Sequence, residues 1–181
     1  MTSAPTLTEE ERLLWLWSDN SPEALLGYMA QFLTVADERG RIVKLIPNPQ
    51  QIRMAHDATG RDITVKARQT GTSTFKLAAR FRRFTNGSVF GANCLIAADK
   101  DASTAKFREK IMHWFQDLNR HGFNFEFKKN NDQELLLDRF ENRFIWASGE
   151  QKHIARSFSA QEVHLSEFGH WPVDTANELL G

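Results

Sequence analysis

The chain has 181 residues, enough for one domain and a small appendage, and its 41% apolar content with 14 Phe and 5 Trp excludes a disordered chain. Lys plus Arg and Asp plus Glu balance at 23 each, which excludes a globally basic nucleic-acid coat but leaves room for a local basic patch. A lone Cys94 rules out a disulfide framework and a cysteine zinc site, and suits a reducing compartment.

The N-terminal stretch MTSAPTLTEEERLL lacks the basic-then-apolar order of a signal peptide, and no apolar run approaches membrane-spanning length. Thr8 with Glu11 predicts a capping box that opens a helix through Trp17. Ser21-Pro22 starts a second helix, expected over Pro22 to Asp37, and DERGR reads as a turn. IVKLIPNPQQ reads as extended, and Gln50 to Thr59 as a short helix ended by Gly60. DITVKA has strand composition and leads into VKARQTGTST.

Ser73 to Phe84 is predicted helical, with Leu77, Phe81 and Phe84 on one face and a basic stripe of Lys76, Arg80 and Arg83 on another. NCLIAA is a short buried strand, and Asp99 to Leu118 is the clearest helix, with Phe107, Ile111, Trp114, Phe115 and Leu118 sharing a face. FNFEFKK, NND and ELLLDRF signal a hairpin that NRFIWAS continues, and AQEVHLSEFGHW ends in another strand. This order predicts an α/β layered fold, a mainly parallel sheet flanked by helices with an antiparallel extension and an N-terminal helical appendage. The expected division is an appendage over 1–40 and a core over 41–181.

Two segments carry chemistry. VKARQTGTST sits between a predicted strand and a predicted helix, the setting of a phosphate-binding loop. Gly71 fits the loop's second glycine and Ser73 its Mg²⁺-binding hydroxyl, while Thr72 stands in the usual lysine slot. The plainer reading of TGTST is a set of helix-capping residues. In EVHLSEFGHW, Ser166 occupies the Mg²⁺ slot after a strand and Glu167 the slot of the residue that polarises the attacking water. Taken alone, Glu167 also reads as a solvent-exposed acid behind a core strand. The histidines show no convincing metal spacing.

KARQTGTST followed by VHLSEFGHW resembles the P-loop (ASCE-type) ATPase domain of the tailed-phage terminase large subunit, a family with Arg-Gln-x-Gly-x-Ser/Thr loops and a tolerated Ser-Glu. LIPNPQQIRM and NCLIAADKDASTAKFREKI resemble the family's segments on either side of the loop, so the likeness spans roughly Val43 to Pro172. It implies ATP and Mg²⁺ as cofactors. Gln51, with Gln50 second, would contact adenine; Gln69, Thr70, Gly71, Thr72, Ser73 and Thr74 would wrap the phosphates. Lys66 or Arg68 would replace the missing lysine, with the bidentate guanidinium favoured. Ser73 and Ser166 would serve Mg²⁺, Glu167 would activate water, and Arg156 (or, more weakly, Lys152) would be an arginine finger acting on a neighbouring subunit.

The same resemblance implies a motor that drives double-stranded DNA into a procapsid. Its partners would be a small subunit, the portal protein and further copies in a ring, pentameric in the family. It would work in the host cytoplasm, docked transiently at the portal. The chain is expected to stop after the Walker B-like strand, without the coupling motif or the nuclease domain, hence without nuclease activity and with weak ATPase activity in isolation. Two rivals stay open: a helicase-like P-loop ATPase, against which Thr72 argues, and a degenerate DNA-binding or assembly module.

Overall fold

The computed structural model describes residues 8–60, 62, 64, 71–151 and 159–180. The chain divides into two compact units, Met1–Thr70 and Gly71–Gly181.

In the first unit, the Thr8 side chain accepts from the Glu11 amide while Glu11 reaches back to the Thr8 backbone, so the predicted capping box opens α1 (Glu9–Ser18). Ser21 caps α2 (Pro22–Phe32). Trp17 packs on Tyr28 and Phe32, with ring centroids 5.7 and 6.1 Å apart. The second helix ends five residues earlier than its periodicity predicts. Leu33 turns extended, and the β-branched pair Thr34-Val35 enters a short strand, β1 (Thr34–Ala36), antiparallel to β2 (Ile42–Lys44). The DERGR turn joins them, with Gly40 at φ 74°. Asn48 and Gln51 then form a second capping box at the start of α3 (Pro49–His56). This hairpin and α3 pack on α2, so residues 41–56, expected within the core, belong to the first unit.

The second unit is an α/β layer. Its strands are β3 (Asn93–Ala98), β4 (Phe127–Asn130), β5 (Glu134–Leu137), β6 (Arg143–Ser148) and β7 (Glu162–Leu165), in the order β4-β5-β6-β3-β7. β6, β3 and β7 run parallel, and β4 and β5 extend them antiparallel. β3 lies between β6 and β7 with side chains from Cys94 to Ala98 all buried, which explains its continuous apolar run.

Helices α4 (Thr72–Thr85) and α5 (Asp101–Arg120) lie on one face. Phe81 meets Trp114, Phe115 and Phe144 there at 5.5, 4.8 and 6.5 Å. Leu95, Ala97, Ala147 and Trp171 cluster on the opposite face. A 3₁₀ turn (Phe168–His170) and α6 (Val173–Leu180) complete the unit. The strand expected over DITVKA falls mainly outside the described residues. Among those described, no helix is long and apolar enough to cross a membrane.

Candidate functional site

Parallel strands all point their carboxyl ends to one edge of a sheet, and loops gather there. At that edge β7 delivers Ser166. The register pairs Ala97 of β3 with Leu165, and Ser166 donates its amide to the Ala97 carbonyl at 2.9 Å. Alternation along β7 then sends Glu162, His164 and Ser166 toward α4 and α5, and Val163 the other way to solvent.

The first turn of α4 arrives at the same point. Gly71 caps this helix in the left-handed conformation, φ 69° and ψ 7°, which a side chain would strain. Gly71, having no side chain, offers no capping oxygen of its own. Two residues on, the Ser73 hydroxyl lies 3.3 Å from the Ser166 hydroxyl, across 93 residues of sequence. The structure thus brings together the two hydroxyls that the sequence singles out, each at the end of a different element. Thr72, in the usual lysine slot, is buried, and Thr74 is half-buried.

Glu167 follows Ser166 at φ 55° and ψ 31°, a left-handed backbone unusual for a residue with a side chain. This kink ends the strand and takes the Glu167 carboxylate off the alternation, half exposed, 3.9 Å from His170 Nε2. The preceding Ser166 carbonyl accepts the indole N–H of Trp171 at 3.1 Å, which ties the turn to the opposite face of the sheet.

Two residues of the basic stripe, Arg80 and Arg83, turn to β7. Arg80 donates to the Val163 carbonyl at 3.0 Å and lies 3.6 Å from Glu162, while Arg83 pairs with Glu162 at 2.7 Å. Those two arginines clamp α4 to β7. His164 lies between the clamp and Phe107, its ring 5.4 Å from the Phe107 ring. Burial, with the Arg80 and Lys76 charges, pulls its pKa down to about 3, so it is neutral at pH 7.

The remaining candidates distribute as follows. Gln51 is buried, and its side-chain carbonyl accepts the Asn48 amide at 3.0 Å, so much of its hydrogen-bonding capacity is spent on capping α3. The neighbouring Gln50 amide makes no hydrogen bond among the described residues. Both lie in the first unit. Lys66, Arg68, Gln69, Thr70, Lys152 and Arg156 fall outside the described residues.

Two residues near the site carry signals that the sequence reading passes over. Lys110 sits at i+3 from Phe107 and i−4 from the buried Trp114, at the edge of the apolar stripe of α5, and a half-buried lysine there is the legible anomaly. Its ammonium donates to Thr74 Oγ1 at 2.8 Å, and burial lowers its pKa. Asp99 directly follows β3, and one of its carboxylate oxygens is buried without a hydrogen-bond partner among the described residues.

The structure pairs two neutral hydroxyls at the edge, with the Glu167 carboxylate on the next residue of the chain and Asp99 at the end of β3. Among the described residues no three His, Cys, Asp or Glu side chains converge as a metal cluster. Mg²⁺ binds hard oxygens, keeps several waters and commonly takes only one or two protein ligands when phosphates supply the rest. The pair Ser73 and Ser166 therefore fits Mg²⁺ carried by a nucleotide and does not fit a free-ion site. A scan against protein-family models returns no match for this chain, and a comparison with curated proteins returns none either.

Proposed function

We propose that this chain is an ATP-hydrolysing P-loop domain of the kind found in the large subunit of phage DNA-packaging terminases. The observation that carries the reading is the 3.3 Å approach of Ser73 to Ser166, which joins a glycine-started helix to the end of a buried parallel strand. That pairing is what a Mg²⁺-nucleotide site requires of a protein: a helix N-terminus facing the phosphates, and hard oxygens beside it.

In this reading the first turn of α4 binds the phosphates, and Ser73 with Ser166 would hold a Mg²⁺ that would supply charge neutralisation. Glu167 accepts a proton from the water that attacks the γ-phosphate; its half-exposed position leaves it open to that water. Lys66 or Arg68 and, from another subunit, Arg156 supply the remaining cations. Hydrolysis would drive double-stranded DNA toward a portal, with a small subunit and further copies of the chain as partners. The basic stripe of α4 is not assigned to DNA phosphates, because Arg80 and Arg83 already serve Glu162.

The test is Mg²⁺-dependent ATP hydrolysis measured against protein concentration for the wild type and Glu167→Ala. Turnover per subunit that rises with concentration and disappears in the variant supports a site completed by a neighbour. Absence of both ATP binding and turnover at every concentration, with or without DNA, overturns the reading.

A further inference from the structure

Resting on the nucleotide reading above, we propose that Lys110 of α5 is a phosphate-binding cation of this site, taking up part of the role that Thr72 cannot fill. Thr74 is the third residue of α4, and side chains in a helix lean toward its N-terminus, so its hydroxyl lies at the mouth where the phosphates would sit. The Lys110 ammonium is 2.8 Å from that hydroxyl. The placement is fixed from behind: Phe81, two turns further along α4, packs on Trp114 and Phe115 of α5. That contact holds Lys110 level with the first turn of α4.

The electrostatics of this position call for an anion. The N-terminus of a helix carries partial positive charge and disfavours a cation beside it. Lys110 is nevertheless there, partly buried. Among the described residues its ammonium has no carboxylate within ion-pairing distance and one neutral hydroxyl as its hydrogen-bond partner. Solvation could be satisfied more cheaply by a lysine turned outward, as on the exposed face of the same helix. An oligophosphate at the mouth would face the helix end and the ammonium together. Each would then stabilise the same negative charge, and the lysine would move from Thr74 to a phosphate oxygen with little displacement.

The experiment is calorimetric binding of Mg²⁺-ATP, and of pyrophosphate with Mg²⁺, to the wild type, Lys110→Met and Lys110→Arg, with thermal midpoints measured alongside. The expected result is a loss of about ten- to a hundred-fold in affinity for both ligands in Lys110→Met, the range of a charge-assisted hydrogen bond. Lys110→Arg should stay within several-fold of the wild type, and the unfolding midpoints should change little. A packing role predicts the opposite: a lowered midpoint with unchanged affinity in the folded protein. As a check that needs no variant, acylation of Lys110 in the wild type, followed by mass spectrometry, should slow when pyrophosphate saturates the site. Wild-type binding with an unaffected Lys110→Met, or with unprotected Lys110, overturns this role and leaves the nucleotide reading standing. A wild type that binds neither ligand overturns both.

Discussion

Glu167 combines two properties that separate variants can pull apart: a left-handed backbone and a half-exposed carboxylate on the residue that follows Ser166. The backbone costs a residue with a side chain roughly 1–2 kcal/mol and a glycine almost nothing. Glu167 already carries that cost, so Glu167→Val should lower the urea midpoint only by what a β-branched side chain adds in this conformation, roughly 1 kcal/mol or less. Glu167→Gly should not. Both variants should lose ATP turnover, because the carboxylate is gone in each. A Glu167→Gly protein that is stable and still hydrolyses ATP would show that the conformation matters and the acid does not. Strain held at a strand end is a mark of functional positions.

At the scale of elements, Asn142 joins three segments. It is fully buried; its side-chain carbonyl accepts the Ala92 amide at 3.0 Å, and its amide donates to Phe84 and Val89 carbonyls at 3.0 and 2.9 Å. The end of α4, the loop into β3 and the start of β6 therefore meet at one side chain. Asn142→Ala leaves three main-chain groups without their partner. At roughly 1–3 kcal/mol for each unsatisfied group, partly relieved by water, a net loss of about 2–4 kcal/mol in urea denaturation is expected.

Asn142 is also a fair example of what the sequence leaves unread. The Thr8 capping box, the NCLIAA strand and the apolar face of α5 are legible because their causes lie within a few residues. The β1 strand is not, because its partner β2 is supplied from beyond a turn, and the helical periodicity of the preceding segment simply runs on. The site divides in the same way. Gly71 and Glu167 stand out locally, whereas the Ser73–Ser166 approach depends on tertiary folding and is suggested in advance only by the order of motifs. Lys110 is visible as a charge at the edge of an apolar stripe, but its target lies on another helix.

Across the second unit as a whole, His164 makes stability depend on pH. In an unfolded chain its imidazole protonates near 6.5; in the fold it does so near 3, because burial and the charges of Arg80 and Lys76 oppose protonation. Between those values the unfolded state holds the extra proton. Stability from this group is therefore complete above pH 6.5 and is lost as pH falls, at up to about 1.4 kcal/mol per pH unit. His164→Leu, which titrates in neither state, should lack this slope. The measurement is the difference between the two proteins in unfolding free energy at pH 7 and pH 4.5. A constant difference would show that His164 does not stay neutral in the fold.

The Ser73–Ser166 approach also provides a covalent handle. Cys94 is fully buried and its thiol is pushed up to about 12, so it should resist alkylation until the protein unfolds, and it leaves the chain without a competing reactive thiol. Two further sulfurs placed at Ser73 and Ser166 would lie close enough to form a bridge under mild oxidation after small adjustments. Such a latch would fasten α4 to β7 and, by occupying the space between the hydroxyls, shut the nucleotide out until a reductant reopened it. A doubly substituted protein that binds Mg²⁺-ATP only when reduced would turn a static distance into a reversible chemical switch.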